Sequence, residues 1–295
     1  MEVSVNNSET QRSGARPEPD SQRIVSLSPL STIAVPPPQF IENAALGGFN
    51  AVGVRVAQTA QDRGFQLSAG SSLLRDTKSA LADNGMQVLD VEVVKLHPGS
   101  SRGDWMPVLE AGAELDASFL LVTVLDDDYA RATDIFADLA ELSGRYGLRT
   151  CLEPMVFSSV RDMTAAAKFV ADARDSDAGL LLDALHWTRA GSDLAELGAI
   201  ADDLLPYCQL CDAPSAQPAV DHNAAITEAR TDRMAPGAGA LPLVDILRAL
   251  PPNAAISVES PSLRSTTDPR GWTAELGRAT RDVLESVVRS PSPAS

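Results

Sequence analysis

Eight short runs rich in β-branched and aliphatic residues recur along the chain, each bounded by Gly, Pro, Asp or Asn. They fall at 24–27, 51–56, 88–96, 119–125, 150–154, 179–185, 207–211 and 255–259, the lengths and borders of strands. Helical stretches lie between them. Residues 128–146 repeat apolar side chains at three- and four-residue steps (Ala132, Ile135, Phe136, Leu139, Leu142), and 161–173 and 192–205 do likewise. Ser192-Asp193 reads as a helix start, Gly147 as a stop, and Asp126-Asp127-Asp128 as a cap. Strand–helix alternation repeated eight times predicts an α/β fold, a (β/α)8 barrel with a single domain over residues 23–289. The alternative, an open sheet binding a dinucleotide, needs a glycine-rich turn after its first strand. Ser28-Pro29-Leu30-Ser31-Thr32 has no glycine.

Composition removes several function classes. Among 295 residues, 40 acidic and 24 basic side chains give a formal charge of −16, a surface that repels phosphate backbones and anionic membranes. The longest apolar runs, such as 119–125, fall far short of the roughly 20 residues a membrane helix needs. Residues 1–22 are polar and lack the apolar core of a signal peptide, so they read as a disordered tail, with 290–295 a flexible one. Cys151, Cys208 and Cys211 make no disulfide framework, and a cytoplasmic setting is expected. Cys208 and Cys211 have redox spacing but lie along a strand instead of opening a helix, so they read as packing.

Four late strands end in groups able to ligate a cation: Glu153, Asp183, Gln209 and Glu259. A carboxylate after an apolar strand is costly to desolvate unless paired with a base such as Arg or bound to a cation. Strands of a barrel bring such ends to one face, so their charges have to be offset together. A divalent metal does that, and a hard oxygen set suits Mn2+ or Mg2+. Long connections at 57–74 and 213–241 suggest substrate-facing loops on that face.

The segments Leu152-Glu153-Pro154, Asp183-Ala184-Leu185-His186, Gln209-Leu210-Cys211-Asp212, Arg233 with Pro236-Gly237-Ala238-Gly239, and Val258-Glu259-Ser260-Pro261 resemble the xylose isomerase-like TIM barrels. The resemblance implies a divalent metal held by Glu153, Asp183, Gln209 and Glu259, with Glu153 and Glu259 also moving protons. It implies substrate contacts at His186 and Arg233, the latter holding substrate oxygens or phosphate. Two departures stand out. Gln209 occupies a position where many relatives have His, and its amide is a weaker, neutral ligand. Ala238 occupies one where Glu is common, which removes a charge from that loop. Endonuclease IV, a member with a trinuclear zinc site, is excluded because the chain has only three histidines, His97, His186 and His222.

The implied chemistry is proton transfer beside a carbonyl, giving an isomerase or epimerase of a sugar, keto-sugar or related polyol through an enediolate. Loss of a β-oxygen on the same scaffold would make a dehydratase or lyase. A barrel that binds a ligand without turnover is a third reading. Asp212 and Glu92 are further expected substrate contacts. Glu92 and Lys95 share one alternating strand, whose period could aim either inward. Arg230 reads as a weaker version of Arg233, while His97 and His222 read as surface loop residues. The expected partners are a small sugar-like substrate and, since such barrels often dimerise, a second copy of the chain, with neither nucleic acid nor membrane.

Overall fold

The computed structural model describes residues 23–58, 64–173, 177–216 and 222–289. The tails expected at 1–22 and 290–295 lie outside them. Eight parallel strands close into a barrel in chain order: β1 (Val25–Leu27), β2 (Ala51–Arg55), β3 (Gln87–Leu96), β4 (Phe119–Val124), β5 (Arg149–Leu152), β6 (Gly179–Asp183), β7 (Tyr207–Leu210) and β8 (Ala255–Val258). β8 returns to β1 through Ser257 opposite Ser26. The helices on the outside are α1 (Pro37–Gly47), α2 (Ser72–Asn84), α3 (Arg102–Glu114), α4 (Tyr129–Arg145), α5 (Met163–Asp172), α6 (Ala184–Arg189), α7 (Leu194–Gly198), α8 (His222–Thr231), α9 (Leu243–Ala249), α10 (Arg264–Thr267) and α11 (Pro269–Arg289). No helix among the described residues is long and apolar enough to cross a membrane.

Local chemistry sets the element ends. The Asp128 side chain accepts the Arg131 amide and starts α4, whose apolar stripe ends where Gly147 turns with φ +78°. The stripe lies against its neighbour, with Phe136 of α4 edge-on to Phe169 of α5 at 5.5 Å. Strand six stops at Asp183 and not at 185, because the Asp183 carboxylate accepts the His186 amide at 2.9 Å and caps α6. The helix expected over 192–205 is broken. Asp193 caps it as anticipated, but α7 ends at Gly198, and a 3-10 turn (Asp202–Leu204) leads to Pro206. The long connection after β7 is not all loop, since α8 lies within it.

Apolar residues form two bodies. One fills the barrel (Leu89, Leu121, Cys151, Leu181, Tyr207), and a larger one lies between strands and helices, taking in Cys208 and Cys211 as buried free thiols. Barrel side chains stack in layers of four from alternate strands. The registers place Ser26, Asp90, Cys151 and Tyr207 together, Ser28, Glu92, Glu153 and Gln209 above them, and Arg55, Thr123, Asp183 and Glu259 at the rim. The interior is thus largely apolar low down, apart from Ser26 and the buried Asp90, and ionic at the C-terminal end of the strands.

Asp212 organises the loop beside that end. Its carboxylate accepts amides from Ala213 (2.8 Å), Gly237 and Leu241 (both 2.9 Å), and its backbone bridges Met234. The expected substrate contact is thus tied into the loop by three backbone donors. A Cβ at Gly239 would lie 2.5 Å from Asp212 Oδ1 and inside contact distance of the Ala213 carbonyl. Gly239→Ala is expected to lower stability by about 2 kcal/mol, read as a fall in Tm, and an unchanged Tm would contradict this packing.

Candidate active site

Two irregularities in β3 decide what faces the barrel mouth. One extra residue lies between Val52/Gly53 and their partners Val88/Asp90, and another between Val91 and Val94 against β4. Glu92 and Lys95 are three residues apart, so a regular strand would turn them to opposite faces. The second bulge shifts the period, and both line the same cavity of about 270 Å³.

Three charged and two neutral polar groups from different strands meet at the floor of that cavity. Arg55 Nη2 donates to Glu92 Oε2 at 2.9 Å, both groups being buried. The Ser28 hydroxyl lies 3.1 Å from Glu92 Oε1 and 2.9 Å from Glu259 Oε1, so its single proton serves one at a time. Gln209 Nε2 donates to Glu259 Oε1 at 3.0 Å, which turns the amide nitrogen and not its oxygen toward that acid. Gln209 Oε1 is buried with no hydrogen-bond partner among the described residues.

Arg233 fills the centre. Its Nη1 lies 2.5 Å from Asp183 Oδ2, and its Nη2 lies 3.0 Å from Glu259 Oε2, with the arginine side chain only 2% exposed. The Glu259 carbonyl at 3.2 Å and the Ala229 carbonyl at 2.7 Å take further donors. The resemblance gave this residue to substrate oxygens; the structure spends it on two of the four expected ligands. A second fork, Arg189 to Glu228 at 2.6 and 3.0 Å, ties α6 to α8 and so fixes the helix that precedes Arg233.

The acids are electrostatically unlike. Burial, reinforced by Glu259 and Asp183, pushes Glu153 well above the usual carboxylate range. Burial also raises Glu259, against the pull of Arg233, to about 7. Asp183 is buried too, yet Arg233 and His186 hold its carboxyl below the ordinary value. Burial keeps His186 neutral, lowering it to about 4 although Asp183 favours the charged ring.

His186 lies in the first turn of α6, and its ring stands edge-on to Phe157 at 5.1 Å. One donor atom each from Glu153, Asp183 and His186 lie within 4.8 Å of one another. This trio differs from the four-oxygen set expected from the strand ends: it gains a nitrogen, while Gln209 and Glu259 hydrogen-bond to each other and Glu259 pairs with Arg233. His222, expected at the surface, also lines the cavity at the start of α8. His97 is exposed.

The chain belongs to the xylose isomerase-like TIM barrel family, whose sequence model matches residues 41–282. It is similar in structure to a xylose isomerase-like TIM barrel/4-hydroxyphenylpyruvate dioxygenase fusion protein, with TM-score 0.73 and 20% identity over 90% of this chain. The chain spans 43% of that fusion's length. The IolI protein, solved with a zinc atom, superposes with TM-score 0.73 at 16% identity, covering 91% of this chain and all of that one. D-psicose 3-epimerase from Clostridium cellulolyticum H10, solved with D-tagatose, gives TM-score 0.67 and 13% identity over 90% of this chain and 99% of its own. No curated protein sequence matches the chain.

Glu259 makes stability pH-dependent. Its folded pKa of about 7 lies above the ordinary 4.5, so its contribution is complete below pH 4.5 and lost as pH rises to 7. His186, lowered from 6.5 to about 4, acts in the opposite sense across that window. A variant isolates the acid. In metal-free protein the Tm advantage of Glu259→Gln over the parent should grow from pH 4.5 to 7 and then level off, and a constant difference would contradict this environment.

Proposed function

We propose that the protein is an isomerase or epimerase that moves a proton on the carbon beside a carbonyl of a polyhydroxylated, sugar-like substrate. The observation that carries this reading is a pair of buried acids with raised pKa values, Glu153 and Glu259, lining one cavity from strands three apart in the barrel. A base must be ionised near neutrality and an acid must still hold its proton there. Glu259, near 7 and stabilised as a carboxylate by Arg233, Gln209 and Ser28, is the base. Glu153, raised by burial and by its neighbours Glu259 and Asp183, is the acid. Return of the proton to the other face of the same carbon epimerises; delivery to the adjacent carbon isomerises.

The residues fit a divalent cation. Glu153, Asp183 and His186 present donors close together, and the His186 ring is neutral, with Nδ1 buried and lacking a hydrogen-bond partner among the described residues. Asp183 and His186 would hold the ion, joined by Glu153 once it has given up its proton, and the orphaned Gln209 Oε1 is a neutral donor of the kind Mn2+ and Mg2+ accept. The nitrogen donor favours Mn2+ of the two. When bound, such a cation supplies Lewis-acid polarisation of a carbonyl oxygen. Arg233 already balances Asp183 and Glu259, so the cation would chiefly offset the charge that Glu153 acquires on giving up its proton.

Ketoses incubated in D2O with Mn2+-loaded protein should take up deuterium beside the carbonyl, seen by NMR. Glu153→Gln and Glu259→Gln should each slow uptake by about 10²–10⁴-fold. Absence of uptake from a panel of neutral ketoses, keto-acids and ketose phosphates would overturn the proposal.

A further inference from the structure

We infer that α8 is the substrate-contacting wall of the cavity, with His222 and Ile226 as its contacts, and that the buried pair Arg189–Glu228 holds it there. The inference rests on the reading that the substrate occupies this cavity, and it names residues that meet the substrate away from the acids.

Burial sets α8 apart from its neighbours in the outer ring. A helix is held in a protein chiefly by the apolar stripe it buries against the core. α5, ten residues long, buries Met163, Ala166, Phe169 and Val170, and α9 in seven residues buries Leu243, Ile246 and Leu247. α8 is also ten residues long and buries only Glu228 and Ala229. Its stripe points elsewhere. His222, Ile226, Ala229 and Arg230 follow one another at steps of four, three and one, which is one face of a helix, and all four line the cavity. The face that α5 and α9 press on the core is here turned toward the space a substrate would fill. Phe157 stands edge-on to His222 at 6.2 Å and to His186 at 5.1 Å, so this wall is continuous with the His186 side of the site.

With so little apolar hold, α8 relies on polar bonds, among them a buried ion pair. Glu228 accepts from Arg189 Nε at 3.0 Å and from Nη2 at 2.6 Å, the two side chains being 10% and 7% exposed. Both bonds are charge-assisted and share one plane, which makes the fork stiff. Arg189 itself is well anchored. α6 buries Leu185 and Trp187, and Arg189 Nη2 also donates to the Pro214 carbonyl at 2.9 Å, in the connection that leaves β7. The residue after Glu228, Ala229, gives its carbonyl to Arg233 Nε at 2.7 Å, so the turn that the fork holds also aims the central guanidinium. Neither Arg189 nor Glu228 lines the cavity, and both are positioning residues.

Amide hydrogen exchange on the full chain, followed by mass spectrometry, tests both parts. The parent would be compared with Arg189→Gln, with Glu228→Gln and with the double variant, which leaves no lone buried charge. Residues 222–231 should exchange about tenfold faster in each variant, while α4 and α9 keep their rates. Arg189→Lys, which keeps a charged donor for Glu228, should restore part of the protection. Unchanged rates over 222–231, or an increase spread over the whole barrel, would overturn the hold assigned to the pair. In the parent, at least one member of the panel of neutral ketoses, keto-acids and ketose phosphates should slow exchange over 222–231. Ile226→Ala and His222→Ala should each weaken that protection, and for a ketose that is turned over they should raise KM about tenfold while changing kcat less. A panel in which no member slows α8, or variants protected as fully as the parent, would overturn the contact. Slowed amide exchange without uptake of carbon-bound deuterium would count against the proposed reaction and leave this inference standing. Carbon-bound deuterium uptake with no slowing of α8 would do the reverse.

Discussion

The guanidinium of Arg233, buried between Asp183 and Glu259, is the interaction on which the barrel mouth depends. Two carboxylates at the ends of apolar strands repel each other and lose hydration, and without a shared cation both would be driven toward protonation. The arginine changes that balance unequally. It holds Asp183 ionised, restrains the rise of Glu259 to about 7, and leaves Glu153 raised by burial and by its neighbours. One protein cation thereby creates acids of different strength around one cavity. That asymmetry is what acid–base chemistry needs, and it arises from the chain's own residues.

The supports of Arg233 are spread over the second half of the molecule. α8 carries Ala229, whose carbonyl accepts from its Nε, and α8 is fastened to α6 through Arg189 and Glu228. Asp183 is at once the end of β6, the cap of α6 and the partner of the arginine. Asp212 draws the following turn inward, its carboxylate accepting three backbone amides. A residue with one visible role in sequence thus has two or three in space, and the second role removes some of them from substrate contact.

The barrel and its rim acids were legible because their signals are local. A strand is a run of apolar residues, its end is a Gly, Pro or Asp, and an acid at such an end has to be compensated. The pairing of those acids was not local. Nothing near residue 233 announces that its side chain meets Asp183 and Glu259, since that depends on register across the three strands β6 to β8 and on a helix inside what reads as a loop. Ser28 and Arg55 escaped notice for a similar reason, although an arginine closing the buried run Ala51–Arg55 was a signal that could have been used. Glu92 and Lys95 show the limit of periodicity: alternation permits one or the other, and a single extra residue in β3 admits both.

The central claim is that Glu153 and Glu259 are two acids in one cavity, both raised above the usual carboxylate range. Infrared spectroscopy of metal-free protein with isotope-labelled glutamate measures this directly through the stretching band of the protonated carboxyl. At pH 6, above the ordinary carboxylate range, the band should be present in the parent and weaker in each of Glu259→Gln and Glu153→Gln. A parent protein showing no protonated glutamate at that pH, or a band undiminished in either variant, would contradict this account of the two acids.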